Sequence, residues 1–230
     1  MKLVAILGKK RSGKDTLADY VCNDFDSIKW QLALPIKMAL DHAYSVTFNS
    51  RYGYPKLTTA DWNGEGIDRE TPFLLSNNEA RELFTKALNY LVHRFKLPSN
   101  QDSNDLIAGN VVINNNEPWS IRRFMQTLGT DIVVDRFDRM FWIKIAVGNY
   151  LDNYYSGSKY FVIPDVRQQH EIDTLRSMGA TVIHVVRPDS DQSNDTHITE
   201  AGLKQHYTDS VILNTGTVED LYSKFNEIMK

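Results

Sequence analysis

The most regular feature of the sequence is an alternation of short, mostly apolar runs with longer amphipathic stretches. The runs are four to six residues long, as expected of strands buried on both faces of a parallel sheet. They cover residues 2–7, 27–32, 160–163, 181–186 and 210–213. Between them, apolar residues recur at helical spacing, which predicts helices over 14 to about 25, from Pro35, over 77–95 and 118–129, from about 140 to 155, through Ile172 to Gly179, and after Thr217. The alternation predicts a three-layer α/β fold with about five parallel strands.

The middle of the chain does not follow this pattern. Residues 45–75 mix aromatic residues with glycine and proline, which is typical of loops. A capping box at Ser76 and Glu79 then opens the amphipathic helix 77–95. The asparagine-rich residues 98–118 indicate another loop, with a candidate strand at 111–113. We therefore expect one domain with a core of 1–44 and 118–230 and a helical and loop insertion at 45–118.

The first apolar run ends in a glycine-rich loop with a known chemistry. Gly8 and Gly13 enclose four residues, Lys14 follows, and a helical pattern begins there. This order of strand, loop and helix is the context of a phosphate-binding loop, or P-loop. Glycines allow a tight turn, successive backbone N–H groups surround an anion, and the lysine adds a full positive charge. The alternative is an ordinary glycine-rich turn with surface lysines.

One position departs from the usual loop pattern. The residue after the lysine is normally Ser or Thr, whose hydroxyl binds Mg²⁺. Here it is Asp15, followed by Thr16. Either Thr16 supplies the hydroxyl, or Asp15 holds the ion directly or through a water molecule.

The charge distribution narrows the class of ligand. The net charge is −3, so the chain lacks the overall basic field of a nucleic-acid binder. Positive charge is instead concentrated at the loop, which favours a small anionic ligand. Cys22 is the sole cysteine, which excludes an intramolecular disulfide and a cysteine-based zinc site. No apolar run has membrane-spanning length and the N-terminus reads as a strand, so we expect a cytoplasmic protein that binds neither membrane nor nucleic acid.

Cations outside the loop indicate a second anion site. They are Lys37, Arg69, Arg122, Arg123, Arg139 and Arg167. Guanidinium groups bind phosphate with two parallel hydrogen bonds and remain charged at any working pH. Lys37 and Arg69 can equally be solvated or salt-bridged surface residues. The Asn-Lys-x-Asp signature of GTPases is absent, whereas a small-molecule kinase requires two anion sites.

Asp165 ends the apolar run 160–163 after one intervening proline. Ligands of open parallel sheets gather at the carboxyl ends of the strands, and an aspartate there can hold Mg²⁺ or its water. The alternative is that Asp165 caps the helix that follows.

Several motifs together resemble one family, the deoxynucleoside monophosphate kinases of T-even-like bacteriophages. The matching stretches are residues 10–16, 31–33, 35–37, 68–71, 119–120, 122–123, 128–131, 137–140, 164–165, 167–168, 180–188 and 193–203. The resemblance covers the chain except roughly 72–117. The aspartate after the loop lysine belongs to the family pattern.

The resemblance implies an adenylate-kinase-like fold and transfer of the ATP γ-phosphoryl group to a deoxynucleoside monophosphate (dNMP), with Mg²⁺. It also implies a homodimer, and the cytoplasm of an infected host cell as the location. Adenylate kinases place a lid arginine where Arg187 stands, and residues 188–209 would form the lid. That segment contains no arginine, so catalytic charge has to come from elsewhere.

We assign roles from residue chemistry and the resemblance together. The predicted ATP-binding residues are Lys10, Arg11, Ser12, Gly13, Lys14, Asp15, Thr16 and Arg187. The predicted dNMP-binding residues are Lys37, Arg69, Arg122, Gly129, Thr130, Asp131, Trp142, Asp165, Arg167, Gln168 and Glu171, with Trp142 stacking on the base. The predicted catalytic residues are Lys14, Arg122, Arg123, Arg139 and Asp165, and the predicted metal ligands are Asp15, Thr16 and Asp165.

Two other functions fit the loop. One is another small-molecule P-loop kinase, such as a dephospho-coenzyme A kinase. The other is a nucleotide-binding module without phosphoryl transfer, which would bind ATP but produce no ADP.

Overall fold

A computed structural model describes residues 1–188 and 203–230. Most of the predicted lid-like segment, 188–209, lies outside the described residues. The chain divides into two compact units, one made of Met1–Leu32 with Ala146–Lys230 and the other of Ala33–Ile145. The predicted division into a core and an insertion at 45–118 stays a prediction.

In the described part of the chain, the strands are β1 Lys2–Leu7, β2 Ser27–Lys29, β3 Tyr160–Ile163, β4 Thr181–Val186 and β5 Ser210–Leu213. The helices are α1 Lys14–Asp24, α2 Leu34–Thr47, α3 Thr59–Asn63, α4 Asn77–Phe95, α5 Gln101–Val112, α6 Ile121–Gln126, a π-helix Thr127–Val134, α7 Phe141–Asp152, α8 Gln169–Ser177 and α9 Val218–Ile228.

The first unit, here called the sheet unit, is built on one parallel sheet with the order β2-β3-β1-β4-β5. All four strand pairs are parallel, and Val4 of β1 lies opposite Val162 on one side and Thr181 on the other. The predicted α/β fold with five parallel strands is confirmed. Parallel strands of this kind are covered on both faces, and β1 accordingly has Val4 and Ile6 with no exposed surface. Burial of β1 fixes the direction in which the loop after it leaves the sheet.

The second unit, here called the helical unit, is built around aromatic side chains. Trp119 stacks on Phe124 with ring centroids 5.3 Å apart, and Phe84 meets Trp119 edge-on at 5.5 Å. The apolar stripe of α4 faces this core, with Leu83, Leu88 and other stripe residues fully buried. α4 begins at the predicted capping box, in which the Ser76 hydroxyl accepts the N–H of Glu79. The predicted helix 77–95 is therefore confirmed.

The prediction of a loop with a strand at 111–113 is wrong, because these residues belong to α5 and its C-terminal cap. The Asn100 side chain caps α5 by accepting the N–H of Ser103. The buried residues of α5 are Asn104, Ala108 and Val112, spaced by four. Because the first of them is polar, the apolar period was incomplete in the sequence. Asn104 is satisfied by Ser99 and Asn89.

The predicted helix 118–129 is also corrected at both ends. Ser120 caps α6 by accepting the N–H of Arg123, so Pro118 precedes the helix. The winding does not stop at Gly129 but continues as a π-helix to Val134. Glycine at 129 serves a close packing contact described below, rather than a helix end. Residues 45–75 also contain a short helix, α3, that the loop prediction missed.

None of the helices in the described ranges combines the length and the apolar character needed to cross a membrane.

Candidate active site

The glycine-rich loop joins β1 to α1 and is shaped by two glycines. A Cβ atom on Gly8 would lie 2.6 Å from the carbonyl oxygen of Val185. Gly13 has φ +96°, in the left-handed region, and a Cβ atom there would lie 2.4 Å from Nδ2 of Asn214. No larger residue fits either position without movement of its neighbours. The backbone therefore makes the close turn that a phosphate-binding loop requires.

Asn214 supports this loop and was not singled out from the sequence. It follows β5, and its Nδ2 donates to the carbonyl oxygen of Ser12 at 2.8 Å. Its own N–H donates to Val186 at 2.8 Å, which continues the pairing of β5 with β4. The available signal was its position directly after an apolar run, because the carboxyl ends of parallel strands share one edge of the sheet.

Charged and hydroxyl groups crowd the loop. Lys14 Nζ lies 2.6 Å from Oδ2 of Asp15, and the lysine side chain is 14% exposed where the aspartate is 62% exposed. Ser12 is buried, and its hydroxyl has no hydrogen-bond partner in the described structure. The predicted ATP-binding residues Lys10 and Arg11, and Thr16 of the predicted metal site, are exposed. Exposed oxygen and ammonium groups at the start of a helix suit a hydrated anion with a hard cation.

Asp165 lies just after β3, where the sequence placed it. One carboxylate oxygen accepts the N–H of Leu32 at 2.8 Å, which ties the chain after β2 to the end of β3. Asp165 does not cap the following helix, because the N-cap of α8 is Gln168. The capping alternative is therefore wrong. This carboxylate remains a candidate metal ligand in the sheet unit.

Glu171 is almost completely buried beneath the loop after Asp165, with 4% of its surface exposed. Its carboxylate accepts the N–H groups of Arg167 at 2.9 Å and Gln168 at 3.0 Å. Burial raises the pKa of Glu171 to about 7, opposed by the two backbone hydrogen bonds. Arg167 itself is exposed. Through these two hydrogen bonds, Glu171 fixes the backbone of the loop that carries the predicted dNMP-binding residues Arg167 and Gln168.

In the helical unit, the structure brings together three of the predicted cations through short segments. Lys37, buried on α2, donates to Oδ1 of Asn63 at 3.0 Å. The guanidinium of Arg69 lies against Gly64, where a Cβ atom would be 2.9 Å from Nε. The carbonyl oxygen of Arg69 accepts the N–H of Arg122 at 3.0 Å. We call Lys37, Arg69 and Arg122 the cation cluster.

The neighbouring arginines 122 and 123 have different surroundings. Arg122 Nε lies 3.3 Å from a carboxylate oxygen of Glu70, whose side chain is 55% exposed. The guanidinium of Arg123 donates to Glu117 and Asn115 and lies over the Trp119 ring, 5.4 Å from its centroid. Arg123 therefore has the contacts of a structural arginine that holds the segment before α6.

The predicted base-pocket residues Gly129, Thr130 and Asp131 lie on the π-helix, a winding that is frequent at functional sites. Trp142 is 3% exposed, and its indole N–H donates to the carbonyl oxygen of Gly129 at 2.9 Å. A Cβ atom on Gly129 would lie 2.8 Å from Cδ1 of Ile36, so glycine allows the π-helix to approach α2. In this position Trp142 supports the backbone of the π-helix from the core. Arg139, between the π-helix and α7, is exposed.

Candidate oxygen ligands for a metal ion do not form a cluster in the described part of the chain. The described ranges 1–188 and 203–230 contain no group of three or more His, Cys, Asp or Glu side chains that could hold an ion. Proteins bind Mg²⁺ through one or two carboxylates, while substrate phosphates and water complete the coordination. Asp15, Thr16 and Asp165 offer suitable hard oxygen atoms. Arg187 follows β4 and is exposed.

Comparison with known proteins gives a consistent result. Residues 2–225 match the deoxynucleotide monophosphate kinase family. The chain is 46% identical to a deoxynucleotide monophosphate kinase of Enterobacteria phage T4, with 100% of this chain and 99% of the relative covered. It is 45% identical to the enzyme of the same name from Escherichia phage RB69, with 100% of both chains covered. A putative deoxynucleotide monophosphate kinase of Acanthamoeba polyphaga mimivirus is 23% identical over 97% of this chain and 94% of its own. With its glycine-rich loop on a five-stranded parallel sheet, the chain belongs to the deoxynucleotide monophosphate kinase family.

Proposed function

We propose that this protein transfers the γ-phosphoryl group of ATP to a deoxynucleoside monophosphate, giving the deoxynucleoside diphosphate and ADP. As a member of a kinase family, the chain is a phosphotransferase. The observation that carries the proposal is the match over residues 2–225 to this family by a chain whose glycine-rich loop has the required shape. The product is a precursor for DNA synthesis. The proposed setting is the cytoplasm of a phage-infected cell, with the enzyme as a homodimer.

On the donor side, residues 10–16 bind the β- and γ-phosphates of ATP. Backbone N–H groups of the loop and the N-terminus of α1 contribute partial positive charge. On ATP binding, the Lys14 ammonium leaves Asp15 and pairs with a phosphate oxygen. Arg187 contributes a second positive charge to the binding of the same phosphates. The buried Ser12 hydroxyl gains a partner when a phosphate oxygen reaches the loop.

Asp15, Thr16 and Asp165 would hold Mg²⁺ together with the phosphates. The ion supplies neutralisation of the charge that develops on the phosphoryl group. Asp165 keeps its orientation through the N–H of Leu32.

On the acceptor side, the cation cluster binds the monophosphate, and Arg167 keeps its assignment from the sequence as a dNMP-binding residue. Phosphoryl transfer consists mainly of positioning and charge neutralisation, so several cations from different segments are what the reaction needs. Arg122, which belongs to the cation cluster, is a candidate for contact with the transferred group, whereas Arg123 holds Glu117 and Asn115 and lies over Trp119. Arg139 is an additional exposed candidate.

The base of the monophosphate is read by the π-helix residues Gly129, Thr130 and Asp131. Trp142 contributes by fixing the Gly129 carbonyl group, to which its indole N–H donates, instead of stacking on the base. Gln168 and Glu171 contribute by shaping the loop that carries Arg167.

The test is ATP turnover measured with each of the four deoxynucleoside monophosphates, with ribonucleoside monophosphates and dephospho-coenzyme A as comparison acceptors. We expect ADP formation that depends on at least one dNMP and on Mg²⁺. Turnover with dephospho-coenzyme A alone would favour the other small-molecule kinase. ATP binding without ADP formation on any acceptor would contradict the proposal and favour a non-catalytic module.

A further inference from the structure

A buried carboxylate beside the cation cluster has no role in the function described so far. Asp61 lies on α3 with 7% of its surface exposed. One of its oxygens, Oδ2, accepts the N–H of Thr58 at 2.7 Å and the Thr58 hydroxyl at 2.8 Å. This half of its bonding is an ordinary capping box.

The other carboxylate oxygen of Asp61 bonds to a residue beyond the end of α3. Oδ1 of Asp61 accepts the N–H of Ile67 at 2.8 Å. A Cβ atom on Gly66 would lie only 2.2 Å from this oxygen, so the chain returns past the carboxylate where only glycine fits. Asp61 therefore closes the segment from residue 58 to residue 67 into one loop, which a helix cap alone does not require. The hydrogen bonds from Ile67 and Thr58 hold the pKa of Asp61 below its usual value.

The closed loop contacts two members of the cation cluster. Asn63, at the end of α3, accepts a hydrogen bond from the Lys37 ammonium at 3.0 Å. Gly64, with φ +81°, lies against the Arg69 guanidinium. The Gly64 N–H donates to the backbone carbonyl oxygen of Asp61 at 3.0 Å, so both contacts are made by residues of the turn that directly follows Asp61.

We propose that Asp61 is a positioning residue that sets Lys37 and Arg69 for the acceptor's phosphate through Asn63 and Gly64. The inference rests on the proposed function, in which the cation cluster binds the dNMP. A single carboxylate can accept all three hydrogen bonds, whereas an amide at this position would direct an NH₂ group at the donor N–H of either Thr58 or Ile67. The loop would then open at one side.

The experiment measures KM for a dNMP, KM for ATP and kcat in the Asp61→Asn variant. We expect KM for the dNMP to rise by about tenfold, the equivalent of one well-placed interaction, with KM for ATP changed by less than about twofold. If Lys37 and Arg69 lose their positions, KM for the dNMP rises while KM for ATP does not. General destabilisation of the protein would not distinguish between the two substrates.

The matched control is Glu79→Gln, which alters the same type of capping carboxylate at the start of α4. Glu79 accepts hydrogen bonds from the N–H and hydroxyl of Ser76 and, on its other oxygen, from the hydroxyl of Tyr54. None of these three hydrogen bonds involves a residue of the cation cluster. We expect this variant to lose stability with both KM values retained. Equal changes of KM for the dNMP in the two variants would overturn the inference.

A double-mutant cycle with Lys37→Ala tests the route. If Asp61 acts through Lys37, the increase in KM for the dNMP in the double variant is smaller than the product of the single increases. Multiplicative effects would remove Lys37 from the route.

If the Asp61→Asn variant does not fold, a variant of the exposed residue Asn63 decides instead. For Asn63→Ala we expect KM for the dNMP to rise by at least about threefold. An unchanged KM for the dNMP would overturn the inference. Absence of dNMP-dependent turnover in the wild-type protein would contradict the proposed function itself. The inference about Asp61 is tested separately, because it depends only on differences between the wild type and the variants.

Discussion

The side-chain amide of Asn214 donates to the backbone carbonyl of Ser12 at 2.8 Å, joining two residues 202 positions apart in sequence. A Cβ atom on Gly13 would lie only 2.4 Å from the same amide nitrogen. Asn214 therefore both supports the glycine-rich loop and restricts position 13 to glycine.

For Asn214→Ala we expect KM for ATP to rise by about tenfold and the free energy of unfolding to fall by about 1 kcal/mol, the contribution of one hydrogen bond. Steady-state kinetics and urea denaturation measure the two effects. Asn226→Ala is the matched control, because Asn226 Nδ2 donates to the Tyr20 hydroxyl at 2.9 Å, also between distant segments, without touching the loop. A similar KM for ATP in the two variants would contradict a supporting role for Asn214.

For Lys14→Ala we expect a loss of at least about 10³-fold in kcat/KM, because the phosphates lose a full charge inside the loop. Lys14 is the first residue of α1 and its ion-pair partner Asp15 is exposed, so the melting temperature should change little. Turnover and circular dichroism melting check both statements. Near-normal turnover would remove the loop from the mechanism.

The adjacent arginines offer a paired comparison. Arg122→Lys is expected to lower kcat/KM for the dNMP by about 10²-fold, because lysine cannot bind phosphate through two parallel N–H groups. Arg123→Lys is expected to lower the free energy of unfolding by about 1–2 kcal/mol through its contacts with Glu117 and Asn115, with smaller kinetic effects. Kinetics and denaturation of both variants are needed. The reverse ranking of the two kinetic effects would assign the acceptor to Arg123.

Gly129→Ala is expected to destabilise the protein by about 1–3 kcal/mol, because the new methyl group would lie 2.8 Å from Cδ1 of Ile36. Ile36→Val removes that Cδ1 atom. The double variant should therefore recover at least half of the stability lost, measured by denaturant unfolding. Additive losses in the double variant would show that the cost lies in the π-helix backbone itself.

Glu171 makes stability depend on pH in a defined direction. Burial raises its pKa from 4.5 to about 7, so the folded state disfavours the charged carboxylate. The contribution to stability is fully present below pH 4.5 and is lost as the pH rises to about 7. Glu171→Gln cannot ionise, so the stability of the wild type relative to the variant should fall over this window, by at most about 1.4 kcal/mol per pH unit. Denaturation of both proteins from pH 5 to pH 8 measures it, and a difference independent of pH would contradict the prediction.

Strands of the parallel sheet were predictable from short apolar runs in the sequence, as 160–163, 181–186 and 210–213 show. Helix α5 was not, because a satisfied polar residue, Asn104, takes one of the three core positions. The π-helix was not either, since Gly129 resembles a helix end in sequence and owes its identity to Ile36, 93 positions earlier.

The glycine-rich loop and the cations were identified in sequence by chemistry, but their supporting residues were not. Asn214 and Asn63 act through hydrogen bonds to Ser12 and Lys37, in segments that become neighbours only after folding. The environments of Arg122 and Arg123 illustrate the same limit, because two identical side chains in succession differ in what surrounds them.

The strand order also determines when this protein can first bind a nucleotide during its synthesis. β1 is synthesised well before its neighbours β3 and β4, which begin at residues 160 and 181. The helical unit, Ala33–Ile145, is continuous in sequence and can fold while the chain is still growing. The glycine-rich loop, by contrast, waits for the strands on both sides of β1 and finally for Asn214. During synthesis the glycine-rich sequence is therefore present long before the loop can take its final shape, which requires Asn214.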